Sequence, residues 1–427
     1  MAPSSELPSP QAPELGFSIS HQRVELDIDL PTQSLRGRTE IVLNPHSKDL
    51  KTVRLNCRQC ILSRLVVNNK PCPGAAYQDP YSRAKLPWKA GVHQYHMLQQ
   101  KVEGQLKDPP DQELLLHLPK NTKIDELDPF SEEAQGILLS KTLGKTDSRA
   151  ESVTAIDLSQ STRTGVEQTA RFTPITVNIE FVVKKIRDGM HFVGWEEGDL
   201  RYPHAYTTNS LSPGAACCLF PCTDDLTSRS TWEISIKCQK TIGDALRSFS
   251  SSKVQLQSNG ANGNHNGPGG SDKYDDFSDE DKALDLAVIC TGDMTDEVRN
   301  PCLYAVDVSS SLQIIDPRDP TKKTTSFTCT TPISAQHVGF AIGPFEHVDL
   351  AEFRESDEDE RLGQNAVPVH GFCLPGRSDE TKNTCLPIAK VRPPDADRTM
   401  RLKLLGYGLL CFDLWVLPIL KLQTLLR

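Results

Sequence analysis

Thirteen cysteines and eleven histidines are the side chains of this 427-residue sequence best suited to hold a metal, act as a base or attack a substrate. Their spacing supports little of that chemistry. Cys57-Arg58-Gln59-Cys60 has the step of a zinc knuckle, but no second Cys or His pair follows at a usable distance. Cys217, Cys218 and Cys222 form another group, and His93-Gln94-Tyr95-His96 stands without companions. Zinc binding by either cysteine group is one reading, and packing is the commoner one, because isolated Cys pairs in strand-like text behave as small buried hydrophobes. The histidines lie at 21, 46, 93, 96, 117, 191, 204, 265, 337, 347 and 370, and no pair has the His-Glu-x-x-His form that sets two imidazoles and a general base on one helical face. Asn259 to Gly270 is Gly-rich, but it lacks the Lys-Ser/Thr and following helix of a phosphate loop. No catalytic, metal or cofactor site is therefore expected.

Two serines carry a different chemistry. Ser278 and Ser356 each precede three consecutive acids, a context suited to an acid-directed kinase. Phosphate added there increases repulsion and can change partner choice. The second site lies in the acidic run Glu352 to Glu360, whose plainer reading is a solvated linker. For Trp195, Tyr202 and Tyr206 the alternatives are a packed aromatic cluster and an exposed partner-binding surface.

The elements that would position these residues read as strands. Val24, Leu26, Ile28 and Leu30 alternate with Arg23, Glu25, Asp27 and Asp29; Pro31 to Ser34 turns the chain, and Gly37 to Leu43 returns it. Further strands are expected at Lys51 to Leu55, Ile61 to Val67, Glu113 to Leu118 and Thr173 to Val183, the last with Ile175, Val177, Ile179, Phe181 and Val183 on one face. Trp232, Ile234, Ile236 and Cys238 alternate with Glu233, Ser235 and Lys237, and Phe220-Pro221 ahead of them fixes an extended approach to a corner. After a turn at Thr291 to Asp293, which follows a strand over Leu284 to Cys290, strands resume at Ser311 to Ile315 and Ser326 to Cys329. No sustained helical stripe precedes residue 385, so an open, mainly β architecture with covering loops is expected. Asp79 to Gln112 and Lys120 to Arg171 read as long loops, with a short helix at Pro129 to Leu143. Ser248 to Lys282, Asn/Gly-rich and then acidic, is expected to be disordered.

Composition narrows the class. Thirty prolines, 26 glycines and the polar tracts limit how much of the chain can pack. With 47 basic and 56 acidic residues the net charge of −9 argues against a general nucleic-acid surface, though not against a local basic patch. Met1 to Gly16 is Pro- and Ser-rich, without the charged and apolar regions of a secretory signal, so an intracellular compartment with reduced thiols is expected.

Four stretches carry a resemblance. Phe220-Pro221-Cys222-x-Asp224, followed by Trp232-Glu233-Ile234, resembles a corner in the N-terminal β-domain of gluzincin-type zinc aminopeptidases. Gly189-Met190-His191-Phe192, Gly339 to Glu346 and Gly371-Phe372-Cys373-Leu374-Pro375 are closer to the TBP-associated factors that form subunit 2 of TFIID on an aminopeptidase-like scaffold. Gly37 and Ile41 also match the family's second strand. The resemblance covers about residues 17 to 390. It implies a saddle-like aminopeptidase N-terminal domain over 17 to 351, then an acidic linker and the start of the next domain over 352 to 390. It further implies a non-catalytic nuclear scaffold for preinitiation-complex assembly and core promoter recognition. The implied partners are TBP and the other TFIID subunits, with promoter DNA through the full complex; neither a membrane nor a small-molecule substrate is expected.

The alternative is a truncated fragment of an active zinc aminopeptidase of the same fold, and a stand-alone β-sandwich interaction protein is a third class. The aminopeptidase substrate-anchoring Gly-x-Met-Glu-Asn segment is absent; in that family it and His-Glu-x-x-His lie in the domain after the β-domain, so truncation and descent from a pseudoenzyme both account for the absence. From Val391 the resemblance stops, and the Arg-, Pro- and Leu-rich tail to Arg427 reads as a frame change or retained non-coding sequence. Its apolar run, Leu404 to Leu420, is interrupted by Asp413 and Pro418 and makes a poor membrane span; a short amphipathic helix is the form expected if the tail is real.

Overall fold

A computed structural model describes residues 15–84, 113–127, 172–184, 186–195, 199, 201–208, 215–248, 277–295, 314–316, 319–349, 370–389, 409–412 and 415–416, with five positions between 97 and 104. Along the chain the first strands are β1 (Phe17–Asp29), β2 (Ser34–Pro45), β3 (Thr52–Leu55), β4 (Ile61–Val67), β5 (Lys70–Pro71), β6 (Ala75–Tyr77), β7 (Leu114–His117) and β8 (Ile175–Val183). Next come β9 (Met190–Val193), β10 (His204–Thr207), β11 (Ser230–Gln239), β12 (Ala287–Cys290), β13 (Asp293–Met294), β14 (Ile314–Asp316) and β15 (Asp319–Ile333). The last are β16 (Phe340–Gly343), β17 (Glu346–Asp349), β18 (His370–Cys373), β19 (Leu409–Phe412) and β20 (Trp415–Val416). The fold is mainly β, as the alternating text implies.

The largest sheet runs β13-β15-β11-β1-β2-β8-β4-β5, with β14 also on β15. Its pairs are antiparallel except β1 with β11, which are parallel in a register of Val24 with Ile234 and Leu26 with Ile236. That register puts the apolar phase of each strand on the same side, so Val24, Ile28, Ile41, Ile179, Phe181, Trp232 and Ile236 are all buried. One apolar cluster joins this face to the sheets β3-β7-β6 and β12-β16-β10-β9. Gly37 stands opposite Phe181 in the ladder, where a Cβ would lie 2.4 Å from the ring. The ring fills the space a side chain would take, which is the physical content of that glycine.

Several expectations change. The segment 248–282 was expected to be disordered throughout, but both of its margins are built. A helix α1 at Pro80–Ala84 sits inside the expected loop 79–112. A helix α2 over 242–248 leads into the insert, and α3 (Asp279–Ala283) leads out of it behind a buried Phe277. The Leu286 N–H donates to the Lys240 carbonyl and the Ile242 N–H to the Leu284 carbonyl, so the two margins meet. Acidic composition concealed α3: Asp279, Glu280 and Asp281 fill the first turn, where the helix dipole favours carboxylates, and Ser278 caps it. A helix α4 (Ser378–Ala389) follows β18. The tail was expected to be an amphipathic helix if real, yet its described residues form strands: β19 pairs in parallel with β18, whose unpaired edge accepts it, and β20 returns on β19. The expected helix at 129–143, the acidic run 352–360 and Met1 to Glu14 lie outside the described residues. No described helix is long and apolar enough to cross a membrane.

Candidate functional site

The Phe-Pro-Cys corner and the Cys-x-x-Cys loop, far apart in sequence, meet in one buried polar hub. Residues 56 and 222 pair backbone to backbone at 2.7 and 3.1 Å, and the Arg58 N–H donates to the Cys217 carbonyl at 2.9 Å. The Asp224 carboxylate accepts from the Cys217 N–H at 3.0 Å, while the Asp224 N–H donates to Asn56 Oδ1 at 3.1 Å. Gln59 donates to the carbonyls of Asp188 and Cys218 at 2.8 and 2.9 Å and accepts from the Arg187 N–H at 3.0 Å. Asp79 takes the N–H groups of Gln59 and Tyr81, and the Tyr81 hydroxyl donates to Asp188 Oδ2 at 2.6 Å. Gly189, in the Gly-Met-His-Phe stretch, has φ +84°, and a Cβ there would lie 2.9 Å from the Ala215 carbonyl. Glycine is required where this chain passes the corner.

At the centre lies an ion pair that the sequence reading missed. Arg58 Nε and Nη2 bond Glu113 Oε1 at 2.8 and 2.7 Å, and Glu113 Oε2 accepts from the Cys57 N–H at 3.0 Å. Glu113 is 3% exposed and Arg58 14%. The available signal was thin: one cation inside a Cys-x-x-Cys step, and one carboxylate opening the apolar run Leu114-Leu115-Leu116.

The hub brings Cys57, Cys60, Cys217, Cys218 and Cys222 into one neighbourhood, all buried and reduced. A hydrogen bond from Cys57 and burial push the Cys60 thiol up, and burial does the same for Cys217 and Cys222. Such thiols are neither good nucleophiles nor ready metal ligands. Among the described residues no three His, Cys, Asp or Glu side chains converge as a metal-holding group. Ser334 Oγ lies 2.7 Å from His337 Nδ1, but the two are three residues apart at a 3-10 turn and Ser334 is 1% exposed, so no substrate reaches the hydroxyl. His93, His96 and Ser356 lie outside the described residues.

The aromatic residues divide. Trp195 is core, its indole N–H donating to the His204 carbonyl at 3.4 Å. Tyr206 is half-buried between the rings of His191 and His204, at 5.6 and 6.3 Å. Tyr202, half-buried too, packs on Phe277 and donates to Asp281 at 2.8 Å.

The outer face of the large sheet is ionic and balanced. Arg23 meets Glu25 at 3.0 Å and Glu233 at 3.9 Å, Arg38 meets Glu40 at 3.8 Å, Arg64 meets Glu180 at 3.6 Å, and Lys322 meets Asp27 at 2.8 Å. A shallow hollow lined by Arg23, Glu25, Arg38 and Glu40 carries two charges of each sign. This face offers no single-sign field to a phosphate backbone.

No family model matches the chain. It is 29% identical to transcription initiation factor TFIID subunit 2 of Schizosaccharomyces pombe over 379 residues, 87% of this chain and 27% of that protein. With the protein of the same name from Saccharomyces cerevisiae it shares 23% over 417 residues, 82% of this chain and 28% of that one. The Drosophila melanogaster protein of that name is 21% identical over 385 residues, 88% and 22% of the respective lengths. Among solved structures, yeast LTA4 hydrolase in complex with bestatin aligns with 90% of this chain and 37% of its own, at 10% identity and a TM-score of 0.44. Native leukotriene A4 hydrolase from Saccharomyces cerevisiae aligns over 86% and 34% at 12% identity and 0.41. The likeness to TFIID subunit 2 carried by the motifs thus extends over most of the sequence, and the chain spans about a quarter of the length of the curated relatives it matches.

Proposed function

We propose that this chain is the N-terminal portion of a TFIID subunit 2, acting without catalysis as a scaffold in RNA polymerase II preinitiation complexes. The observation that carries the reading is the 29% identity over 87% of the chain to the fission yeast protein of that name. Membership of a TFIID complex follows from that name for the relative and comes to this chain as part of the proposal. The proposed partners are TBP and the other TBP-associated factors, with promoter DNA met through the assembled complex, and the proposed compartment is the nucleus. The balanced ionic face supports DNA contact through partners rather than through this sheet. The non-catalytic role rests on the name of the relatives, transcription initiation factor TFIID subunit 2.

In this reading residues 17–351 form the β-domain and 352–390 begin the next one. The pairing of β17 with β18 ties them across that boundary by backbone hydrogen bonds. The test is affinity purification of the tagged chain from nuclear extract, with mass spectrometry of what accompanies it. The proposal expects TBP-associated factors in stoichiometric amounts; a folded chain that captures none of them overturns it.

A further inference from the structure

We propose that Ser278 is a phosphorylation switch, in which an acid-directed protein kinase modifies its exposed hydroxyl and so releases Tyr202 from Asp281. The inference does not depend on the TFIID reading. Ser278 is exposed and followed by Asp279, Glu280 and Asp281, the acids such a kinase reads. The structure adds what the motif alone lacks: a mechanical consequence. The Ser278 hydroxyl accepts from the Asp281 N–H at 3.1 Å and donates to Asp281 Oδ2 at 2.6 Å. Asp281 Oδ1 in turn accepts from the Tyr202 hydroxyl at 2.8 Å. Tyr202 packs on Phe277, with ring centroids 6.1 Å apart, and touches both the main apolar cluster and the smaller one built on Ala341, Phe345 and Leu374. Ser278, Asp281 and Tyr202 therefore form a relay that fastens the margin of the insert to the seam between two cores.

Both ends of the relay are chemically tuned to it. The Asp281 carboxyl is held below the usual range by the Ser278 hydroxyl first and by Tyr202 second. The Tyr202 phenol is pushed up to about 12 by burial and then by Asp281.

Phosphoryl transfer forms a bond from Ser278 Oγ to the γ-phosphorus of a nucleoside triphosphate and breaks the bridge to the departing nucleoside diphosphate. The hydroxyl proton passes to the kinase base. The proton that Asp281 Oδ2 accepts is then gone, and a near-dianion faces a carboxylate from hydrogen-bonding range with two more carboxylates in the same turn. The opposing attractions are the half-charge at the start of a five-residue helix, already shared by those three acids, and Lys282, already paired with Asp279 at 3.5 Å. Repulsion prevails, Asp281 swings away and Tyr202 loses its acceptor. The one-turn helix also opens readily to the extended form a kinase needs, since so short a helix has little stability of its own.

The experiment treats the full chain with an acid-directed kinase and ATP, maps phosphate by mass spectrometry, and measures amide hydrogen exchange before and after. The switch predicts phosphate at position 278, lost in Ser278→Ala, and exchange over 202–207 and 277–286 accelerated about ten- to a hundred-fold, the loss of one charge-assisted hydrogen bond. Tyr202→Phe should reproduce the acceleration over 202–207 without phosphate and show no further rise there on phosphorylation. An unmodified Ser278 in the folded chain overturns the modification. Phosphorylation that leaves exchange over 202–207 unchanged, or adds to the effect of Tyr202→Phe, overturns the relay.

Discussion

Replacing Glu113 by alanine should be among the most damaging single changes in this protein. Glu113 is 3% exposed and accepts three hydrogen bonds, two from the Arg58 guanidinium and one from the Cys57 backbone. Alanine removes the carboxylate from beside a cation that is 14% exposed and cannot neutralise itself. Breaking one side of a buried pair costs about 3–5 kcal/mol, whereas exchanging both sides for apolar groups of similar volume is often near neutral. Neither partner is exposed enough for solvent to soften that figure. At a urea slope of about 2 kcal/mol per molar, the midpoint should fall by roughly 1.5–2.5 M. The assay is urea unfolding followed by the fluorescence of Trp195 and Trp232, both buried in the same apolar cluster as the hub. Arg58→Met and the double variant Arg58→Met/Glu113→Leu complete a cycle, and the double variant should cost less than either single change. A Glu113→Ala cost under about 1 kcal/mol, or a double variant whose loss equals the sum of the singles, would refute the view that this pair holds the corner to the Cys-x-x-Cys loop.

Gly37→Ala should destabilise by about 1–3 kcal/mol, because its Cβ would meet Phe181 at 2.4 Å, and Phe181→Leu in the same chain should recover part of the loss; denaturant midpoints decide it, and a silent Gly37→Ala sinks the argument. His21 has its pKa lowered chiefly by burial, with Glu233 and Glu40 opposing, so the unfolded chain binds its proton more readily. Stability from this group is present above the unfolded value of about 6.5 and is lost as pH falls below it. Melting temperatures between pH 7.5 and 5.5 should therefore fall less steeply for His21→Asn than for the parent, and an equal or steeper fall contradicts the sign. Cys57, Cys217 and Cys222 should resist maleimide in the folded protein and react fully in denaturant; native-state labelling of Cys222 at the rate of a free thiol would show that the hub is open.

The alternating text determined the strands because a sheet with one wet face imposes a two-residue period that burial reads directly. Phe181, Trp232, Ile234 and Ile236 are buried where that period places them. Turns were equally legible at Pro31 to Ser34 and Thr291 to Asp293, where Gln33 and Gly292 take positive φ. The Phe-Pro-Cys corner and its neighbours carried the family likeness. Composition, by contrast, concealed order at the margins of the insert, since an acidic run reads as solvated whether or not a serine caps it into a helix. The strand partners were beyond the sequence: nothing local in Val24 or Ile234 specifies a parallel ladder between segments some two hundred residues apart. The same holds for the hub. Cys57, Cys217 and Cys222 stood out in their own segments and Arg58 and Glu113 did not, and only the folded chain removes all five together from water. There a carboxylate and a guanidinium must find each other, because neither can be left charged and alone.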